Sequence, residues 1–146
     1  MSWLSDFAVG AAQRLVAQGV GTWAPDTPTG SLGAGNIFRG SLPPDVTPGV
    51  GLQAYRAGPD DPQNPTTQVR LQAWLRAGTV AALDDLDAAV YDAFQGLSGV
   101  AFGTTQVTDS RCISSVPQGI DGNGNRERAC NYAFELDLPA TALRSY

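Results

Sequence analysis

Few side chains in this sequence could do chemistry, and their spacing limits what they could do. There is no histidine among the 146 residues, which removes the commonest general base, proton shuttle and metal ligand. Serine–histidine and cysteine–histidine nucleophiles are excluded with it. Carboxylates pair up at Asp60-Asp61 and at Asp84-Asp85. Neighbours on a helix point about 100° apart, so Asp84 and Asp85 do not face each other. Both pairs read as solvated surface. The run Gly30-Ser-Leu-Gly33-Ala-Gly35 lacks the spacing and the lysine of a phosphate loop, and no helix follows it. Asp121, Asn123 and Asn125 imitate a calcium loop, but Arg126 stands where an EF-hand needs glycine and Tyr132 where it needs a bidentate glutamate. The Asp-Gly and Asn-Gly pairs read instead as a hairpin turn. No cofactor and no metal are expected.

Cys112 and Cys130 flank that turn at equal distances from residue 121. Simple reflection sets them opposite each other, either as two small half-buried residues or as a disulfide or metal pair. Two thiolates without further ligands do not make a zinc site, and in a cytoplasmic setting both are expected as reduced thiols.

Charge narrows the partners. The formal net charge is −5 and the pI about 4.4, with twelve Asp and two Glu against nine Arg and no Lys. The arginines are scattered, only Arg126 and Arg128 lying close together, so no basic patch for tight nucleic-acid binding is evident. No apolar run of ~18 residues suggests a membrane span, and the N-terminus lacks the basic and apolar regions of a signal peptide. Asn64-Pro65-Thr66 is no glycosylation acceptor, because proline fills the middle position.

The elements that must position these residues fit one domain over 1–146. Apolar residues at three- and four-residue spacing predict a helix over 3–18, with a stripe of Leu4, Phe7, Ala8, Ala11, Leu15 and Val16. Ser2 is its expected N-cap, and Gly19 its left-handed stop. Residues 20–35 read as loop, 36–39 as a short strand, and 41–49 as a proline-rich loop. Val50–Ala57 and Thr67–Arg76 alternate as strands, joined by a polar turn over 58–65. A second helix spans 80–95, capped by Thr79 and burying Leu83, Leu86, Val90, Ala93 and Phe94. A last hairpin, roughly Thr104–Ser114 and Cys130–Leu138, closes the chain. The expectation is an α+β two-layer sandwich, a mostly antiparallel sheet with two helices on one face, in the order α-β-β-β-α-β-β.

Such a sheet leaves one face open. It carries Arg70, Gln72, Trp74 and Arg76 beside Gln53 and Tyr55, with Glu135 and Asp137 on the last strand. Trp74 is either a scattered surface aromatic or an anchor, since Trp, Tyr and Arg are enriched at protein interfaces. Candidate contact residues are therefore Tyr55, Arg70, Trp74 and Arg76 on the sheet, Asp60 and Asp61 in the 58–65 loop, and Asp121, Asn123 and Arg126 in the hairpin.

Several short motifs together resemble one family. Ser115-Val-Pro117, Asp121-Gly-Asn-Gly-Asn-Arg126-Glu127 and Asn131-Tyr132 form one such set. The opening Trp-Leu-Ser-Asp-Phe, Ser41-Leu-Pro-Pro-Asp45, Gln68-Val-Arg-Leu-Gln72 and Tyr91-Asp-Ala-Phe-Gln-Gly96 add to it. The pattern resembles the tail terminators of siphoviruses, often labelled minor capsid proteins, and the Arg-, Ala- and Gly-rich composition suits GC-rich phages of actinobacteria. The resemblance implies a structural protein of the virion tail and neck, made in the host cytoplasm, with no enzymatic site and no membrane. It implies a homo-hexameric ring that caps the tail tube, stops its polymerisation and joins the head-completion or stopper protein. DNA would pass through the lumen unbound, which an acidic ring would ease. Another head-tail connector, an adaptor or stopper, is the alternative, and a small cytoplasmic ligand-binding domain or enzyme is the alternative of another class.

Overall fold

The computed structural model describes residues 2–23 and 36–139. Most of the expected 20–35 loop, the rejected phosphate-loop run and Arg144 lie outside them. Helix α1 spans Trp3–Ala17 and α2 spans Val80–Phe94. Each starts where a hydroxyl can cap it: Ser2 Oγ accepts from Ser5 N at 3.1 Å, and Thr79 Oγ1 from Ala82 N at 3.1 Å. Gly19 stops α1 at φ +77°, the left-handed value that favours glycine.

The strands are β1 (Ile37–Arg39), β2 (Gly49–Arg56), β3 (Thr66–Ala77), β4 (Val100–Phe102), β5 (Thr105–Ile120) and β6 (Arg126–Asp137). They form one sheet in the order β1-β2-β3-β6-β5-β4, antiparallel except for the β1–β2 pair. Both helices cover the same face. The core they enclose is built from the alternating residues of β3 (Val69, Leu71, Ala73, Leu75) and β6 (Tyr132, Phe134, Leu136), packed on Phe7, Leu15, Val90 and Phe94. Four of its rings, Phe7, Phe94, Phe102 and Phe134, meet at centroid distances of 5.1–5.9 Å, and Tyr132 stands edge-on to Phe94. The α+β sandwich holds, with two corrections. Val16 is exposed, and Gly10 and Ala12 complete the α1 stripe in its place. The short edge strand β4 is an addition, since three residues are too few to show a period.

A second, smaller apolar cluster sits on the opposite face. The 41–48 loop folds back over the sheet, and Leu42 and Val46 pack with Phe38 against Trp74. It comes so close that a Cβ on Gly51 would lie 2.8 Å from the Gly40 carbonyl oxygen. The open face is therefore open only in part.

Candidate assembly surfaces

Arg76 holds that loop down. Its side chain is 8% exposed and pairs with Glu127 at 3.0 Å and Asp121 at 3.3 Å. Its Nη1 donates to the Pro43 carbonyl at 2.6 Å and the Val46 carbonyl at 3.2 Å. The expectation of an exposed Arg76 is corrected, because the loop covers it. Trp74 Nε1 donates to the same Glu127 carboxylate at 2.8 Å, while the indole stays half-buried. Asp121 accepts from the backbone N–H groups of Asn123 and Asn125 at 2.9 and 2.8 Å, so the would-be calcium loop closes on itself as a turn. Partial desolvation pushes the Asp121 carboxyl up. The bonds from Asn125 and Asn123, with Arg76 beside them, outweigh it and hold the group below its ordinary value. Asn123 and Arg126 are exposed.

Beyond Trp74 the uncovered face is built from rungs set by strand register. Gln53, Gln72, Asn131 and Ser114 form one rung, tied by Asn131 Nδ2 to Ser114 Oγ at 3.1 Å. Tyr55, Arg70, Ala133 and Arg111 form the next. Tyr55 is 49% exposed and Arg70 is half-buried. Register thus brings Tyr55 and Arg70 together as expected. A shallow groove of about 300 Å³ lies between the loop at Gly40–Leu42 and Trp74.

Asp60 and Asp61 lie exposed at the other end of β2. Among the described residues, the Asp60 carboxylate accepts from Thr67 Oγ1 at 2.7 Å and the Asp61 carboxylate from Gln63 N at 2.9 Å. With Arg56 and Trp3 they line a groove of about 520 Å³.

The β5–β6 arm carries residues that sequence reasoning missed. Three bulges set an extra residue into β5, at Thr108, Ile113 and Gln118. They break the alternation from which strands are read, and Pro117 and Gly119 look like turn residues, so the expected strand ended at Ser114. Ile113, Val116 and Ile120 are 49%, 45% and 58% exposed. The bulges also undo the simple reflection: Cys112 faces Tyr132, and Cys130 faces Ser115. Both cysteines are free thiols, one half-buried and one buried. Burial pushes the Cys130 thiol up to about 12.

A polar tie anchors the arm to α2. Asp87 takes Arg128 Nη1 at 2.8 Å and Ser115 Oγ at 2.8 Å, and Arg128 Nη2 reaches Asp84 at 2.8 Å. Burial pushes the Asp87 carboxyl up, but the bonds from Arg128, Ser115 and Cys130 together hold it below its ordinary value. Among the described residues no group of three or more His, Cys, Asp or Glu could hold a metal. No described helix is long and apolar enough to cross a membrane.

A sheet with one sealed face and an exposed, partly apolar arm is the build of an assembly module. The family model for the bacteriophage tail terminator protein matches residues 14–138, so the chain belongs to that family. It is a structural protein of the virion tail and neck. A chain from a solved virion of a native gene transfer agent particle is similar in fold, with a TM-score of 0.63 at 15% identity over 93% of this chain and 99% of that one. No curated protein matches the sequence.

Proposed function

We propose that the chain forms a homo-hexameric ring that caps the tail tube, stops its polymerisation and presents the joint to the head-completion or stopper protein. The observation that carries the reading is the sheet's two ends. Its order puts β2 and β5 near opposite edges, and among the described residues part of each has no backbone partner on its outer side. A subunit with two different exposed edges suits a head-to-tail interface, the kind that closes into rings. Tyr55, Arg70, Trp74, Asp60, Asp61, Asn123 and Arg126 serve as contact residues in this reading, while Arg76 and Asp121 act indirectly by fixing the loop and hairpin that carry contacts. The function is mechanical, with no catalytic step. DNA crosses the lumen without specific binding, and the excess of carboxylates discourages sticking.

Electron microscopy of lysates from a phage lacking this gene tests the role. Tails of uncontrolled length are expected, and supplying the chain in trans should restore one length. Normal-length tails with unjoined heads would assign it to an adaptor or stopper instead. An assembled tail in which Trp74 faces solvent with no neighbour would remove the sheet face from the contact set.

A further inference from the structure

An asparagine can react with its own chain: the backbone nitrogen of the next residue attacks the side-chain carbonyl. That needs a free side-chain amide, open space beside the nitrogen and a backbone able to turn. The five asparagines, all among the described residues, differ sharply on those terms. Asn36 is held through both side-chain atoms, by Thr22 N at 2.9 Å and the Pro48 carbonyl at 3.4 Å, and the branched Ile37 follows it. Asn64 precedes Pro65, whose nitrogen carries no hydrogen. Asn131 lies inside β6, tied to Ser114 and followed by the buried Tyr132. Asn125 reaches Asp121 Oδ2 at 3.4 Å and is followed by Arg126, already in the β6 ladder. Asn123 is exposed, its side chain has no hydrogen-bond partner among the described residues, and Gly124 follows it. A Cβ on Gly124 would meet nothing within 4 Å, and its φ of +80° favours glycine. The restraint on the Gly124 nitrogen is one exposed turn bond to the Asp121 carbonyl at 3.1 Å, of a kind that opens at low cost.

We infer that Asn123 is a site of spontaneous deamidation, with water as the co-reactant. Gly124 N attacks Asn123 Cγ and forms a cyclic succinimide. The Cγ–Nδ2 bond breaks, and the amide leaves as ammonia with the proton from Gly124 N. Water then opens the ring at either carbonyl and returns a proton to that nitrogen, leaving aspartate or isoaspartate at 123 with no change of oxidation state. Both products add a carboxylate next to the turn that already holds Asp121. Isoaspartate also routes the main chain through an extra methylene. Asp121 Oδ1 takes the N–H groups of 123 and 125 together, at 2.9 and 2.8 Å, and that double contact depends on their ordinary spacing. The isoaspartyl chain therefore loses the turn that presents Asp121 to Arg76. Asp121-Gly122 has the same small neighbour but a different side chain: an ionised carboxylate is a poor electrophile, and this one is engaged by both N–H groups. The chemistry needs no ring and no partner.

Peptide mapping by mass spectrometry tests it on the full purified chain, held folded for days at mildly alkaline pH. The peptide spanning the turn should gain the mass difference between O and NH, with fragmentation placing the gain on 123, and an isoaspartyl methyltransferase should label it. Asn36, Asn125 and Asn131 should stay unchanged over the same period. Asn123→Ser, an exposed change that leaves Gly124 in place, should abolish both the gain and the label. Hydrogen exchange on the isoaspartyl fraction should show the amides of 122–125 exchanging faster than in the fresh chain. No gain at 123 in the folded chain while the chain in denaturant converts would overturn the site, because the turn would then protect it. An equal gain at Asn125 or Asn131, or a gain that survives Asn123→Ser, would overturn it too. Unchanged exchange over 122–125 would overturn the loss of the turn.

Discussion

Arg76 joins three stretches of backbone through one guanidinium: the 41–48 loop, the 121–125 turn and the start of β6. Its two carboxylates compensate its desolvation only while all are present. Arg76→Ala should therefore destabilise the fold by about 3 kcal/mol, since it strands Glu127 and two loop carbonyls; chemical denaturation measures it. Arg76→Lys should recover little, because a single ammonium cannot repeat the fork geometry. At this scale the sequence was half legible. Alternation put Arg76 on the correct face of β3, but nothing local shows that a loop thirty residues upstream lies over it. Glu127 closes the Asp121–Glu127 motif, but nothing in the sequence shows that it serves both Trp74 and Arg76.

The helices and the β3 and β6 strands were legible because caps, glycine stops and period-2 alternation agree there. The arm was not, because bulges interrupt its period. Two contacts between elements carry predictions. A Cβ on Gly10 of α1 would lie 2.6 Å from Phe102 Cα in β4. Gly10→Ala should thus cost about 1–3 kcal/mol through overpacking, although alanine is the better helix former; a thermal melt reads it. The Asp87–Arg128 tie makes the join between α2 and the arm sensitive to acid. The folded-state value of Asp87 is depressed, so its contribution is full above the ordinary carboxylate value of 3.8 and is lost as pH falls through the lower folded one. Melting temperature should drop more steeply below about pH 4 in the wild type than in Asp87→Asn.

For the whole molecule, family and fold class were readable from scattered motifs and element order, while the extent to which the strand edges and the open face are covered was not, since it depends on how β1, β4 and the 41–48 loop close over the sheet. Rings joined through charged residues such as Asp60, Asp61 and Arg126 should loosen on tails as salt approaches about 1 M, where screening acts within about 3 Å; sedimentation of purified tails follows the released chain. The three bulges of β5 bear on something else again. Each extra residue sits between pairs that are already in register on both sides. Removing Gln118 would leave Pro117 opposite Arg128 and Gly119 opposite Glu127, with every buried side chain still facing inward. The same deletion in β3, at Leu71 for example, would turn half the strand inside out. The gene can therefore lengthen or shorten the arm by single codons at three places without rewriting the core. The arm's length can in this way change in small genetic steps while the core stays fixed.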